Sequence, residues 1–187
     1  MNKPADTHHN ISDIIKNRWS PRAFDNQPVE EEKLFSVLEA GRWAASAFNE
    51  QPWRFVVGKK GGEKYEKILA SLIEWNQQWA GEAPVLILNL AKKTFTRNGK
   101  PNATALYDLG QAVSAMAIEA VNQGLAGHQM SGFDADNVRV SFDISDDFHV
   151  VSVMALGYEA DLKKLPEDMQ QMETSARERK TLDDILF

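Results

Sequence analysis

Apolar and polar positions along this chain follow two periods, and the switches between them divide it into helices and short strands. Ser12 to Asn17 reads as a short helix, with Ser12 placed to cap it. Pro28 precedes a long amphipathic stretch in which Leu34, Val37, Leu38 and Ala45 fall at helical spacing. Glu30 to Glu32 occupy its first turn, where carboxylates favour the helix dipole. This helix is expected to stop near Ala45 to Ala47, which leaves Ser46 and Asn49 on the loop beyond it. Arg54 to Gly58 reads as a strand broken by Gly61-Gly62, and Glu63 to Leu72 and Ile73 to Trp79 read as helix.

Pro84 opens a buried strand over Val85 to Leu90, and the polar segment Lys92 to Asn102 is expected to be a mobile loop. Thr104 to Asn122 is a strong helix carrying Gly110, Ala112, Ser114, Ala115 and Ala117. Small side chains at that density allow close helix approach, either in the core or at a dimer seam. Leu125 to Phe133 reads as a strand running into a glycine turn, followed by a helix over Asp134 to Val140 and a last core strand over His149 to Tyr158. From Glu159 the chain turns charged and ends in Ile185-Leu186-Phe187, an apolar tip whose expected burial place is a partner subunit.

Composition narrows the class. A chain of 187 residues can bury one core and is short for two domains, so one domain over 1–187 is expected. A net charge of −6 argues against a nucleic-acid partner, which would call for a basic face. There is no cysteine, which excludes thiolate catalysis and cysteine-based metal or iron–sulfur sites and fits a reducing cytoplasm. Residues 1–10 are polar, read as a disordered tail, and lack the apolar run of a signal peptide. The longest apolar run, Val85 to Ala91, is too short to span a bilayer, so no membrane partner is expected. No dinucleotide-binding glycine fingerprint, P-loop, nucleophile elbow or helical zinc motif occurs, and His8, His9, His128 and His149 lack metal-ligand spacing. No metal is expected.

Against that acidic background two clusters stand out. Arg18-Trp19-Ser20-Pro21-Arg22 puts two guanidiniums and a hydroxyl within five residues, and guanidinium forks suit phosphate or an electron-rich ring edge. Ser46-Ala47-Phe48-Asn49-Glu50-Gln51-Pro52-Trp53-Arg54-Phe55 mixes hydroxyl and amide groups with aromatic rings, as where a planar organic ligand meets protein. Taken singly each has a plainer reading: Arg18 and Arg22 as surface arginines at a helix end, Trp53 and Phe55 as core, Gly132 as a turn glycine, Arg177 and Arg179 as solvated tail charges, and His128 as a strand residue with a backbone partner.

The ordered set Arg18-x-Ser20-x-Arg22-x-Phe24, Ser46-x-x-Asn49-x-Gln51-Pro52-Trp53-Arg54-Phe55, Ser131-Gly132-Phe133-Asp134 and Arg177 to Ile185 resembles the FMN-dependent nitroreductase family, over about Ile14 to Phe187. That resemblance implies an α+β, nitroreductase-like fold with a mainly antiparallel central sheet flanked by helices. It also implies a homodimer whose C-terminal arm, about 160–187, wraps the partner and is exchanged between subunits. Arg18 and Ser20 would reach the FMN phosphate, and Arg22 the flavin edge near N1. Ser46 and Asn49 would contact the flavin from the other subunit, Ser131 and Gly132 would offer backbone N–H near N5, and Arg177 and Arg179 would complete the phosphate site. Trp19, Ala45, Ala47, Gln129 and Met130 lie beside these residues and are expected to line the same FMN.

Activity is expected to be ping-pong reduction of nitroaromatics, quinones or similar electron-poor small molecules by NADH or NADPH, centred on the flavin, with no catalytic side chain. The alternatives are a same-fold dehalogenase or dehydrogenase, or an FMN-binding protein without fast turnover. Departures from the family pattern, at Ala45, Gln129 and Thr181, touch loop stiffness more than ligand chemistry. Asn76 and Gln78 are candidates for a further flavin-edge contact, and Trp75 and Trp79 are either substrate-face residues or the apolar side of a helix.

Overall fold

The computed structural model describes residues 3–187. Its centre is a four-stranded antiparallel sheet in the order β1-β2-β4-β3, from β1 (Trp53–Lys59), β2 (Val85–Lys92), β3 (Ala126–Met130) and β4 (Phe148–Gly157). The α+β architecture expected from the sequence is therefore the one observed. β2 lies between β1 and β4, and every residue from Val85 to Ala91 is buried. That is why it reads as a continuous apolar run rather than an alternating one: helices cover both faces. Leu86, Leu88 and Leu90 pack into one core with Phe24, Tyr65, Ile68 and Trp79, while Val85 and Ile87 face Leu34, Val37, Met116 and Ala120 in another. The single polar residue within this run, Asn89, donates Nδ2–H to Ser152 Oγ at 3.1 Å beside a register shift against β4.

Helices α2 (Glu31–Arg42) and α5 (Ala105–Asn122) pack together on the second face. Gly41 makes that contact close, because a Cβ there would stand 2.7 Å from Met116 Cγ. α2 ends at Arg42, short of the expected Ala45 to Ala47. Beyond it the chain turns so that the Ala47 N–H reaches the buried Asp108 carboxylate at 3.2 Å, a tie to α5 that local propensity does not contain.

On the first face lie α3 (Glu63–Ser71), α4 (Glu74–Ala80) and α6 (Ala135–Phe142), the last capped by Asp134, whose Oδ1 accepts from the Asp136 and Asn137 N–H. Trp79 is 1% exposed and stacks on Phe24, so it belongs to the core. The segment from Lys92 to Asn102, expected as a mobile loop, is instead closed by hydrogen bonds, with Phe95 N–H to Lys100 C=O at 2.8 Å and Asn102 N–H to Lys93 C=O at 2.7 Å.

The charged C-terminal region contains an unexpected helix, α7 (Glu167–Thr174), whose Met169 is buried with Leu165 against the same subunit's core. Only from Ser175 does the chain leave its own core, with Leu182, Ile185, Leu186 and Phe187 exposed. Residues 1 and 2 of the expected tail lie outside the described residues. Farther along it, Lys3 Nζ donates to Ser175 C=O at 2.7 Å and the Ala5 N–H to Lys16 C=O at 2.8 Å. No helix among the described residues is long and apolar enough to cross a membrane.

Candidate functional site

Arg18 follows directly on α1 (Asp13–Asn17), and the extended backbone after it carries Ser20 and Arg22 toward the sheet, where Ala23 and Phe24 anchor it in the core. Arg18 Nη1–H donates to Ser20 Oγ at 3.2 Å. The arm returning from α7 brings Arg177 and Arg179 beside Arg18, although 159 and 161 positions separate them in sequence. Burial, followed by the charges of Arg177 and Arg179, pushes the Arg18 guanidinium below its usual range. Among the described residues none of the three forms an ion pair. They line a cleft of about 710 Å³ together with Thr7, His8 and Thr181.

The three arginines are not equivalent. Arg177 donates Nη1–H to the carbonyls of Lys3, at 2.6 Å, and Lys16, at 2.9 Å, and Nη2–H to that of Arg18, also at 2.9 Å. Its fork ties the arm to the N-terminal segment, and it contributes charge more than free donors. Arg18 and Arg179 keep guanidinium donors for an anion, since among the described residues their side chains donate only to Ser20 Oγ and to the Glu178 carbonyl.

Arg22 sits differently. Its Nη1–H donates to Glu173 Oε1 at 2.7 Å and its backbone N–H to Oε2 at 3.3 Å, and the Glu173 side chain is 1% exposed. A carboxylate buried in α7 therefore fixes this guanidinium, while 23% of the Arg22 side chain stays open. Glu173 lies in the charged tail, and no local spacing links it to Arg22 in the sequence. Below the segment, His128 of β3 meets the Pro21 carbonyl through Nδ1 at 2.9 Å and packs on Trp79 at 4.5 Å between ring centres. Burial pushes its imidazole down to about 4, against the opposing pull of the Pro21 carbonyl, so it is neutral at physiological pH and Nδ1 is the donor. Trp19 Nε1–H donates to Glu159 Oε2 at 3.1 Å.

β3 ends at Met130, which is buried, while Gln129 and Ser131 are exposed. The Gly132 carbonyl accepts from the Ile73 N–H at 3.1 Å and from Asn76 Nδ2–H at 2.9 Å, which locks the turn onto the start of α4. A Cβ on Gly132 would lie 2.7 Å from Ile73 Cδ1 and 2.8 Å from Asn76 Nδ2, so a larger residue would have to push these side chains aside. Its own N–H makes no hydrogen bond to the described residues. Asn76 thus reaches this turn, while Gln78 is exposed and Trp75 is 37% exposed.

The second sequence cluster forms a strained loop. Phe48, Asn49 and Gln51 all have positive φ, at 55°, 56° and 52°, a conformation that non-glycine residues avoid and that concentrates at functional sites. The loop is over-determined: Ser46 Oγ accepts from the Gln51 N–H at 3.0 Å, and the Ala47 N–H is held by Asp108. Ala45 and Asn49 are exposed, and Phe48 projects with 73% of its surface free. Among the described residues no hydrogen bond or ion pair joins this loop to the arginine cleft. The structure thus groups Arg18, Ser20, Arg177 and Arg179 at one place, Arg22 and His128 beneath the same segment, and Ser46, Ala47 and Asn49 at another.

A family model described as the nitroreductase family matches residues 15–78 and 63–158. A mycobacterial relative from Mycolicibacterium smegmatis, an uncharacterized 15.4 kDa protein, is 32% identical over 144 residues, covering 72% of this chain and 94% of its own. Among solved structures, an oxidoreductase containing FMN superposes with a TM-score of 0.92 at 35% identity, covering 97% of this chain and 93% of that one. A nitroreductase family protein from Clostridium difficile 630 superposes at 0.73 with 27% identity, covering 96% and 98%.

Proposed function

Because the chain belongs to the nitroreductase family, we propose that it is an FMN-dependent NAD(P)H oxidoreductase acting as a homodimer on electron-poor small molecules. The observation that carries this reading is the cluster of Arg18, Arg177 and Arg179, which has no carboxylate partner among the described residues, in a chain of net charge −6. Like charges that repel one another and depress Arg18 call for an anion to neutralise them, and a phosphate with three acceptor oxygens does so by charge-assisted bonds. A neighbour of 35% identity that contains FMN supports the same cofactor here.

FMN, when bound, supplies the ring that takes up and gives out hydride. The residues of this chain do the rest. Arg18, Ser20 and Arg179 hold the phosphate. Arg22, oriented by Glu173, places a cation at the ring edge, where it favours negative charge on the reduced form. The Gly132 N–H, on a turn fixed by Asn76 and Ile73, would offer the ring a donor, with Met130 and Gln129 beside it.

Ser46 and Asn49 serve the partner's flavin, which accounts for their separation from the arginine cleft within one chain. The seam that brings them there is the outer face of α5, where Leu106, Tyr107, Gly110 and Ser114 are exposed and the small residues permit close packing. The exposed tip Leu182 to Phe187 is the segment that wraps the partner. Donor and acceptor then use one open site in turn, the ping-pong order, and the chain functions in the cytoplasm. Titrating FMN into flavin-free protein while following quenching of flavin fluorescence tests the reading. Stoichiometric binding by a dimer supports it, and a protein that does not bind FMN overturns it.

A further inference from the structure

The hairpin between β2 and α5 carries a guanidinium that the FMN reading leaves without a role. Arg97 lies with its Cζ 3.9 Å from the centre of the Phe48 ring and 5.4 Å from that of Phe95. The two rings meet edge-to-face at 5.8 Å. Such stacking holds the guanidinium by its plane and leaves its N–H edge free. Arg97 makes no hydrogen bond or ion pair to the described residues, so its fork of donors is unspent.

The support beneath it is built rather than loose. Glu50 Oε1 accepts from the Thr96 N–H at 2.7 Å and from its hydroxyl at 2.6 Å, which staples the hairpin to the strained loop that bears Phe48. Lys92 Nζ donates to the same hydroxyl at 3.0 Å. The Thr96 hydrogen bonds, and then the charges of Lys92 and of Arg97 itself, hold the Glu50 carboxyl below its usual range, so Glu50 is spent on Thr96 and meets Arg97 only through space. The Gly99 N–H to Phe95 C=O bond, at 2.8 Å, closes the turn around Arg97. A cation, an exposed ring and a fixed backbone therefore stand together at the loop that also carries Ser46 and Asn49, the two residues assigned to the partner's flavin.

Resting on that flavin assignment, we propose that Phe48 and Arg97 form the acceptor subsite, and that it selects aromatic acceptors bearing a carboxylate. The acceptor's ring would pack on Phe48 at the site of the partner's flavin, with its carboxylate on the Arg97 fork. A fork bound by its plane to an aromatic ring is already oriented, so little rotamer freedom is lost when the carboxylate docks.

The test compares para-nitrobenzoate with para-nitrobenzamide, which share a shape and differ in charge, on the FMN-loaded enzyme. The kcat/KM ratio of acid over amide falls about tenfold in Arg97→Gln, the loss of one charge-assisted contact. Lys100→Gln removes the same charge from the same hairpin without the stacked fork and leaves the ratio in place. Calorimetric titration with benzoate and benzamide, in the absence of turnover, shows the same selective weakening in Arg97→Gln. An unchanged ratio in Arg97→Gln, or an equal fall in Lys100→Gln, overturns the subsite. A change confined to the NADPH-over-NADH ratio also overturns it, because the fork then reads the donor's phosphate. Failure of the protein to take up FMN at all strikes the flavin reading instead and is seen before any acceptor is added.

Discussion

Replacing Glu173 by alanine is the sharpest structural perturbation available at this site. The carboxylate is 1% exposed and satisfies two donors of one residue, the Arg22 Nη1–H at 2.7 Å and the Arg22 N–H at 3.3 Å. Removing one member of a buried ion pair costs about 3–5 kcal/mol, because the other is left desolvated and unpaired. Arg22 keeps 23% of its side chain exposed, so water can recover part of its hydration, and the lower end applies, about 3 kcal/mol. In a chain of this length that is a fall of about 6–12 °C in melting temperature.

Glu173→Gln keeps the shape and one acceptor and costs less, about 1 kcal/mol. With the carboxylate charge gone, Arg22 acts on the flavin edge undiminished. Reduced FMN should then bind about tenfold more tightly relative to oxidised FMN, a rise of about 30 mV in its midpoint potential. Differential scanning calorimetry of the alanine variant and a dye-equilibrium titration of the glutamine variant give the two numbers. A Glu173→Ala protein melting within about 2 °C of the parent would refute the buried pair. A potential that is unchanged or lower in Glu173→Gln would refute the coupling of Arg22 to the flavin.

Other outcomes follow from the same geometry. Arg18→Ala should weaken FMN binding about 10- to 100-fold, the worth of one charge-assisted contact. It should also reduce the gain in melting temperature that sulfate gives the flavin-free protein, since the repulsion with Arg177 and Arg179 is relieved; an equal gain in variant and parent would contradict the cluster. His128, whose value is pushed down to about 4 in the fold against about 6.5 when unfolded, binds fewer protons in the native state. Its contribution is therefore complete above pH 6.5 and is lost as pH falls toward 4, by about 3 kcal/mol in urea titrations at the two ends. His128→Gln, which keeps a donor for the Pro21 carbonyl, should flatten that slope. Gly132→Ala forces Ile73 and Asn76 aside and should cost about 1–3 kcal/mol, together with a weaker hold on flavin; a fully stable variant would show that the turn is looser than described.

The sheet and most helices were legible because their signals are local. The Val85 to Leu90 run, the Gly61-Gly62 break and the small-residue helix from Thr104 each carry their own punctuation. The end of α2 was not legible, because the loop beyond Arg42 is tied at Ala47 to an Asp108 carboxylate on another helix. The hairpin at Lys92 to Asn102 looked mobile because its polar residues spell no strand. Its order comes from Glu50, 46 positions before Thr96. α7 was hidden in charge, since Met169 and Glu173 are its only buried residues.

At the candidate site, the arginines at 18, 22, 177 and 179 stand out in the sequence by type and order. Glu173, the partner that fixes Arg22, and Arg97, stacked on Phe48, do not. Both pairings join residues whose relation exists only in three dimensions. Trp79 was left between two roles by its helical spacing, and its packing on Phe24 places it in the core.

Anaerobic stopped-flow mixing of the FMN-loaded protein with NADH, and separately with NADPH, tests directly whether this chain passes hydride through FMN. Rapid bleaching of the visible flavin absorbance is expected with at least one of the two, and its return when para-nitrobenzoate is added. Flavin that stays oxidised with both donors would contradict hydride transfer through FMN.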